Sequence, residues 1–145
     1  MQRLVLALAI SALAAGCALM CEEAGCQGTY VLTFEADSWA DGEYELYVAL
    51  DGVEAAGCAI VLPLEDGATC GGGYAEVTMV DGALTVPVPT PMNEDLVEAE
   101  IKLSLDGDVL VSETVEPAWG DPFWPNSKAC DRGYGCLSAE DTITL

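Results

Sequence analysis

The chain has 145 residues, with 25 acids against 4 bases, no histidine and a net charge of −21. A surface this acidic repels nucleic acid and anionic lipid head groups, and the length suits one domain with a single core. The 52% apolar content sets it apart from a disordered acidic tail.

At the start, Arg3 precedes a twelve-residue, mainly apolar run, Leu4 to Ala15, and small residues lead into Cys17. A basic start, an apolar middle of about 7–15 residues and small residues at the cut are the layout of a helical secretory signal peptide. The run is shorter than the roughly 20 apolar residues that span a bilayer. Ala14-Ala15-Gly16-Cys17 resembles a bacterial lipobox, with Ala14 where the commonest form has Leu. The resemblance implies loss of residues 1–16 and acylation of Cys17; a plainly cleaved secretory signal is the alternative. Residues 17–27 are then a lipidated tether and 28–145 the domain. Its remaining bases, Lys102, Lys128 and Arg132, face 25 acids, a net charge of −22.

With Cys17 acylated, six cysteines remain, and an even count in an exported chain predicts disulfides. The local pairs Cys21–Cys26, Cys58–Cys70 and Cys130–Cys136 are expected. Zinc is the rival, but there is no histidine and no CxxC pair, and an oxidising compartment removes thiolates. No metal and no cofactor is expected.

Past the tether the pattern turns to strands. Tyr30, Leu32 and Phe34 alternate with Val31, Thr33 and Glu35, and Tyr44, Leu46, Val48 and Leu50 with Glu43, Glu45, Tyr47 and Ala49. Asp51-Gly52 suits a tight hairpin whose central residues need positive φ. The return limb is Val53 to Leu64, with a bulge or bend expected at Gly57 and an end or edge at Pro63. Asp66-Gly67 and Gly71-Gly72-Gly73 flank Cys70 in a loop. Tyr74–Val80 and Ala83–Val88 form the next hairpin around Asp81-Gly82, and Pro87, Pro89 and Pro91 predict an extended crossover. The clearest stripe is Val97, Ala99, Ile101, Leu103 and Leu105, returning through Asp106-Gly107 into Val109–Val115. Residues 116–136 read as irregular, and Leu137–Leu145 as a last short strand. About seven or eight strands with recurring Asp-Gly turns predict an all-β fold, an antiparallel two-sheet sandwich of the immunoglobulin or fibronectin III kind, with a small closed barrel as competitor.

Little here suggests catalysis. There is no histidine, no GxSxG elbow, no phosphate-cradling loop and no thiol left free, so no enzyme is expected. Paired carboxylates could run a secreted hydrolase, but 25 acids make that pattern uninformative. The densest oxygen clusters, Asn93-Glu94-Asp95 and Asp106-Gly107-Asp108, are candidates for calcium, although turn geometry alone explains the second. The best surface candidate is Trp119, Phe123, Trp124 and Asn126, with Arg132 and Tyr134 in the following loop. Such aromatics can stack on sugars or anchor a protein; the competing reading folds Trp119, Phe123 and Trp124 down as a lid on the sandwich.

Several segments together resemble a group of uncharacterised lipoproteins of myxobacteria and related deltaproteobacteria. They are the lipobox with Cys17, Gly42-Glu43-Tyr44-Glu45-Leu46 leading to Asp51-Gly52-Val53, Cys58 to Leu64 with Cys70, and Pro125-Asn126-Ser127 before Cys130 and Cys136. The resemblance implies membrane attachment through N-terminal acyl chains, local disulfides and a β-sandwich, and it carries no activity. The expectation is an exported, membrane-anchored envelope lipoprotein with an unknown protein or glycan partner or a structural role. Ala18 after Cys17 favours the outer membrane, with the domain facing the periplasm or the cell surface.

Overall fold

The computed structural model describes residues 28–65, 67–71, 73–125 and 135–145. The segment expected to be a signal peptide, Cys17, the expected Cys21–Cys26 pair, Asn126, Cys130, Arg132 and Tyr134 lie outside the described residues.

The strands are β1 (Thr29–Glu35), β2 (Gly42–Leu50), β3 (Val53–Leu62), β4 (Ala68–Cys70), β5 (Gly73–Ala75), β6 (Thr78–Val80), β7 (Ala83–Pro89), β8 (Ala99–Leu105), β9 (Asp108–Val115) and β10 (Ala139–Thr144), with period-two burial clearest in β1, β3 and β7. They form two open sheets, one ordered β10-β1-β7-β6 and the other β5-β4-β3-β2-β8-β9. The fold is therefore an all-β two-sheet sandwich and not a closed barrel. Its core is where the alternating stripes meet: Tyr30, Leu32, Phe34, Leu84, Val86 and Val88 from the first sheet, Tyr44, Leu46, Val48, Ile60, Ile101 and Leu103 from the second. Each such side chain contributes about 1.5–3 kcal/mol by leaving water.

All three expected Asp-Gly hairpins form, with both central residues at positive φ: Asp51 48° and Gly52 77°, Asp81 51° and Gly82 80°, Asp106 50° and Gly107 92°. Aspartate tolerates the left-handed region because its short polar side chain bonds locally. Here it bonds further afield. Asp51 Oδ1 accepts the Val97 and Glu98 N–H groups at 3.1 and 2.9 Å, and the Asp51 N–H donates to Glu98 O. Asp106 does the same at the other end of the β2–β8 pair, accepting Glu43 N–H at Oδ1 and donating its own N–H to Glu43 O.

Cys58 and Cys70 face each other in the β3–β4 register and are joined by a disulfide, as expected. Cys136 is also disulfide-bonded, to a residue outside the described ones.

The pairing corrects several expectations. The described residues hold ten strands because short β4, β5 and β6 occupy stretches read as loop or as one strand; residues 76–77 separate β5 in one sheet from β6 in the other. Pro87 and Pro89 belong to β7 and not to a crossover. A strand tolerates proline where its nitrogen needs no ladder partner, and β6 reaches only from Ala83 to Thr85, leaving that side of β7 open beyond. The stripe at β8 begins at Ala99: Val97 is 57% exposed, its N–H held by Asp51 instead of a strand. The irregularity in β3 falls opposite Val48/Ala49 and not at Gly57, which pairs regularly with Tyr47. Finally, β10 runs parallel to β1, from Tyr30↔Ala139 to Glu35↔Thr144, so the sandwich is not purely antiparallel.

Candidate functional site

Trp119, Phe123 and Trp124 share one end of the sandwich, and the fold claims two of them. The Trp119 ring lies 5.5 Å from that of Tyr30, packs on the core, and its Nε1–H donates to Val97 O at 3.3 Å. Trp124 is half-buried, with its Nε1–H donating to Glu94 Oε2 at 2.9 Å. Gly135 backs onto that indole; a Cβ there would sit 2.9 Å from Trp124 Nε1 and 3.1 Å from Pro122 Cβ. Phe123 is held by backbone bonds in both directions to Cys136, yet its ring is 63% exposed. The lid reading thus holds for Trp119 and in part for Trp124, and Phe123 is the outward-facing member. Asn126, Arg132 and Tyr134 fall outside the described residues.

Gly28, where the described chain begins, sits at this same end. Its carbonyl accepts Thr90 N–H at 3.1 Å, while Thr29 N–H donates to Ser138 Oγ. A Cβ on Gly28 would collide with Thr90 Oγ1 and the Leu137 carbonyl. The aromatic segment therefore lies at the Gly28 end of the sandwich.

The oxygen clusters are engaged by the fold. Asn93 Oδ1 accepts Asp95 N–H, Glu94 accepts Trp124, and Asp106 accepts Glu43 N–H. Among the described residues, no three His, Cys, Asp or Glu side chains are grouped to hold a metal ion. Of the described acids only Glu94 and Asp141 are partly buried, and each accepts a hydrogen bond from an aromatic side chain. Asp141 Oδ2 accepts the Tyr30 hydroxyl at 2.8 Å. Burial, that bond and the Asp141 charge push the Tyr30 hydroxyl far above its ordinary value.

The opposite end, which sequence patterning did not single out, carries a groove of about 410 Å³. It opens between the 36–40 connection, Tyr44, Leu105, Leu110 and Leu145. Trp39 shapes it, with its Nε1–H donating to Gly82 O at 2.8 Å and its ring edge-on to Tyr44 at 5.4 Å. Ala36, Asp37 and Leu145 continue into a second hollow that includes Glu35 and Asp81. A third is lined by Glu43, Glu45, Asp106 and Gly107. No lysine or arginine lines any of the three. The signal that could have found this site is tertiary: its residues come from β2, β8, β9, the β1–β2 connection and the residue after β10. Compared with protein-family models, curated proteins and solved structures, the chain gives no match.

Proposed function

We propose that this protein is a lipid-anchored, non-catalytic module of the bacterial cell envelope, moored through Cys17 and displaying the far end of its sandwich to a partner. The carrying observation is placement: Gly28 lies at one end and the solvent-open groove at the other. Residues 17–27 reach at most about 40 Å when fully extended, so the tethered end stays near the membrane and the grooved end is presented. The export signature at residues 1–17 and the cross-linked cysteines support the same reading, since disulfides persist outside the cytoplasm. Two or more acyl chains hold a protein stably, where one holds it marginally. The test is mass spectrometry of the native protein with membrane fractionation of Cys17→Ser. The expected outcome is an acylated Cys17 at the N-terminus and release of the variant from membranes. An intact Met1, or an unmodified Cys17 at the N-terminus, would overturn the proposal.

A further inference from the structure

We infer that the groove remote from Gly28 is a docking site for a cationic peptide segment of a partner protein, one that inserts an apolar side chain between flanking lysines or arginines. The inference rests on the reading above only for which end is displayed. The floor is apolar and built in advance: Trp39 is oriented by its bond to Gly82 and its edge contact with Tyr44, and Leu105, Leu110 and Leu145 complete it. A cavity of about 410 Å³ lies within the range of small-ligand and side-chain pockets. Leu110 keeps 44% of its surface in water although it lines the floor, so an apolar insertion gains by covering it.

Charge complementarity selects the occupant. Asp37 stands on the rim, Glu35 and Asp81 flank the adjoining hollow, and Glu43, Glu45 and Asp106 line the third. All six are exposed, and no basic side chain lines any of these hollows. The field reaches the floor as well: burial raises the Tyr44 hydroxyl above its ordinary value, and the charges of Asp106 and Asp41 raise it further. A second copy, itself strongly acidic, would be repelled, as would an acidic segment or an anionic lipid surface. Facing rows of opposite charge speed the encounter and reject wrong partners, while the buried apolar anchor supplies affinity.

The experiment titrates the ¹⁵N-labelled, detergent-solubilised native protein with acetyl-Lys-Lys-Leu-Leu-Lys-Lys-amide, following the three indole N–H resonances, with Trp39→Phe to assign one of them. The Trp39 signal is expected to shift and that of Trp119 to stay. Affinity should fall at least about tenfold when salt rises from low to roughly 0.5 M, because the charges involved are exposed. The Asp37→Lys/Leu110→Lys double variant, shown folded by an unchanged melting point, should lose at least about tenfold. If that variant does not fold, Asp37→Asn alone should weaken binding and steepen no salt dependence. Equal binding of acetyl-Glu-Glu-Leu-Leu-Glu-Glu-amide, a silent Trp39 signal, or an unchanged affinity in the folded variants would overturn the inference. This titration reads the groove whether or not Cys17 carries lipid, so its failure and a failure of anchoring are separable.

Discussion

Asp51 meets two demands with one side chain. It occupies the left-handed region that a type I′ hairpin imposes, and its carboxylate holds the two N–H groups that lead into β8. Alanine there would be strained at positive φ, and would leave the Val97 and Glu98 N–H groups to water. About 1 kcal/mol for the backbone and about 1 kcal/mol for the hydrogen bonds give an expected loss near 2 kcal/mol for Asp51→Ala. Asp51→Asn keeps the turn and one acceptor, so it should lose about half as much. Urea unfolding midpoints check this, and an alanine variant as stable as the parent would show that water serves those N–H groups equally well. The Asp-Gly pair was legible as a turn because positive φ is a local requirement. The carboxylate's bond to a segment 46 residues away was not, because no local pattern encodes it.

At the scale of elements, strand identity followed alternation and strand partnership did not. Tyr30-Leu32-Phe34 and Tyr44-Leu46-Val48 announce two strands, each with one buried face, and both are strands. Nothing in β1 says that its neighbours are β7 and, in parallel, β10. Proline misled for a related reason: Pro87 and Pro89 look like breakers until the short reach of β6 leaves one side of β7 without a partner. The β3–β4 pairing is braced by Cys58–Cys70, a cross-link separated by 12 residues. Removing both sulfurs, as in Cys58→Ala/Cys70→Ala, frees the unfolded chain and should cost about 2–3 kcal/mol. That corresponds to a melting point lower by roughly 10 °C in calorimetry. An unchanged midpoint would mean that β3 and β4 hold their register through the ladder and packing alone.

Among the described residues most acids are exposed, while the side chains of Tyr30 and Tyr44 are buried. Tyr30 and Tyr44 are almost fully buried, and burial raises both above the ordinary tyrosine value of 10.0. In the unfolded chain Tyr30 ionises near pH 10, while in the folded protein it keeps its proton to higher pH. Its contribution is therefore fully present below pH 10 and is lost as pH rises through the folded value. Stability should fall above pH 10 with a slope of up to about 1.4 kcal/mol per pH unit for Tyr30. Tyr30→Phe should flatten that slope, as read from urea midpoints between pH 9 and 11.5; an identical slope in the variant would remove Tyr30 from the account. The aromatic segment shows the same division between local and global. Its composition marked residues 119–124 as special, but how far the two indoles are covered depended on Tyr30 and on Glu94 and Val97, from two other places in the chain. By itself the sequence determined the long alternating strands such as β1, β2 and β8, the three Asp-Gly turns and the Cys58–Cys70 staple, because periodicity, positive φ and a short loop between cysteines are local quantities. Only the tertiary structure decided which sheet each strand joins, that Trp119 caps the core beside Gly28, and that an acid-rimmed groove opens at the other end. Those outcomes depend on surfaces brought together from distant segments, where burial and charge are properties of the assembled neighbourhood.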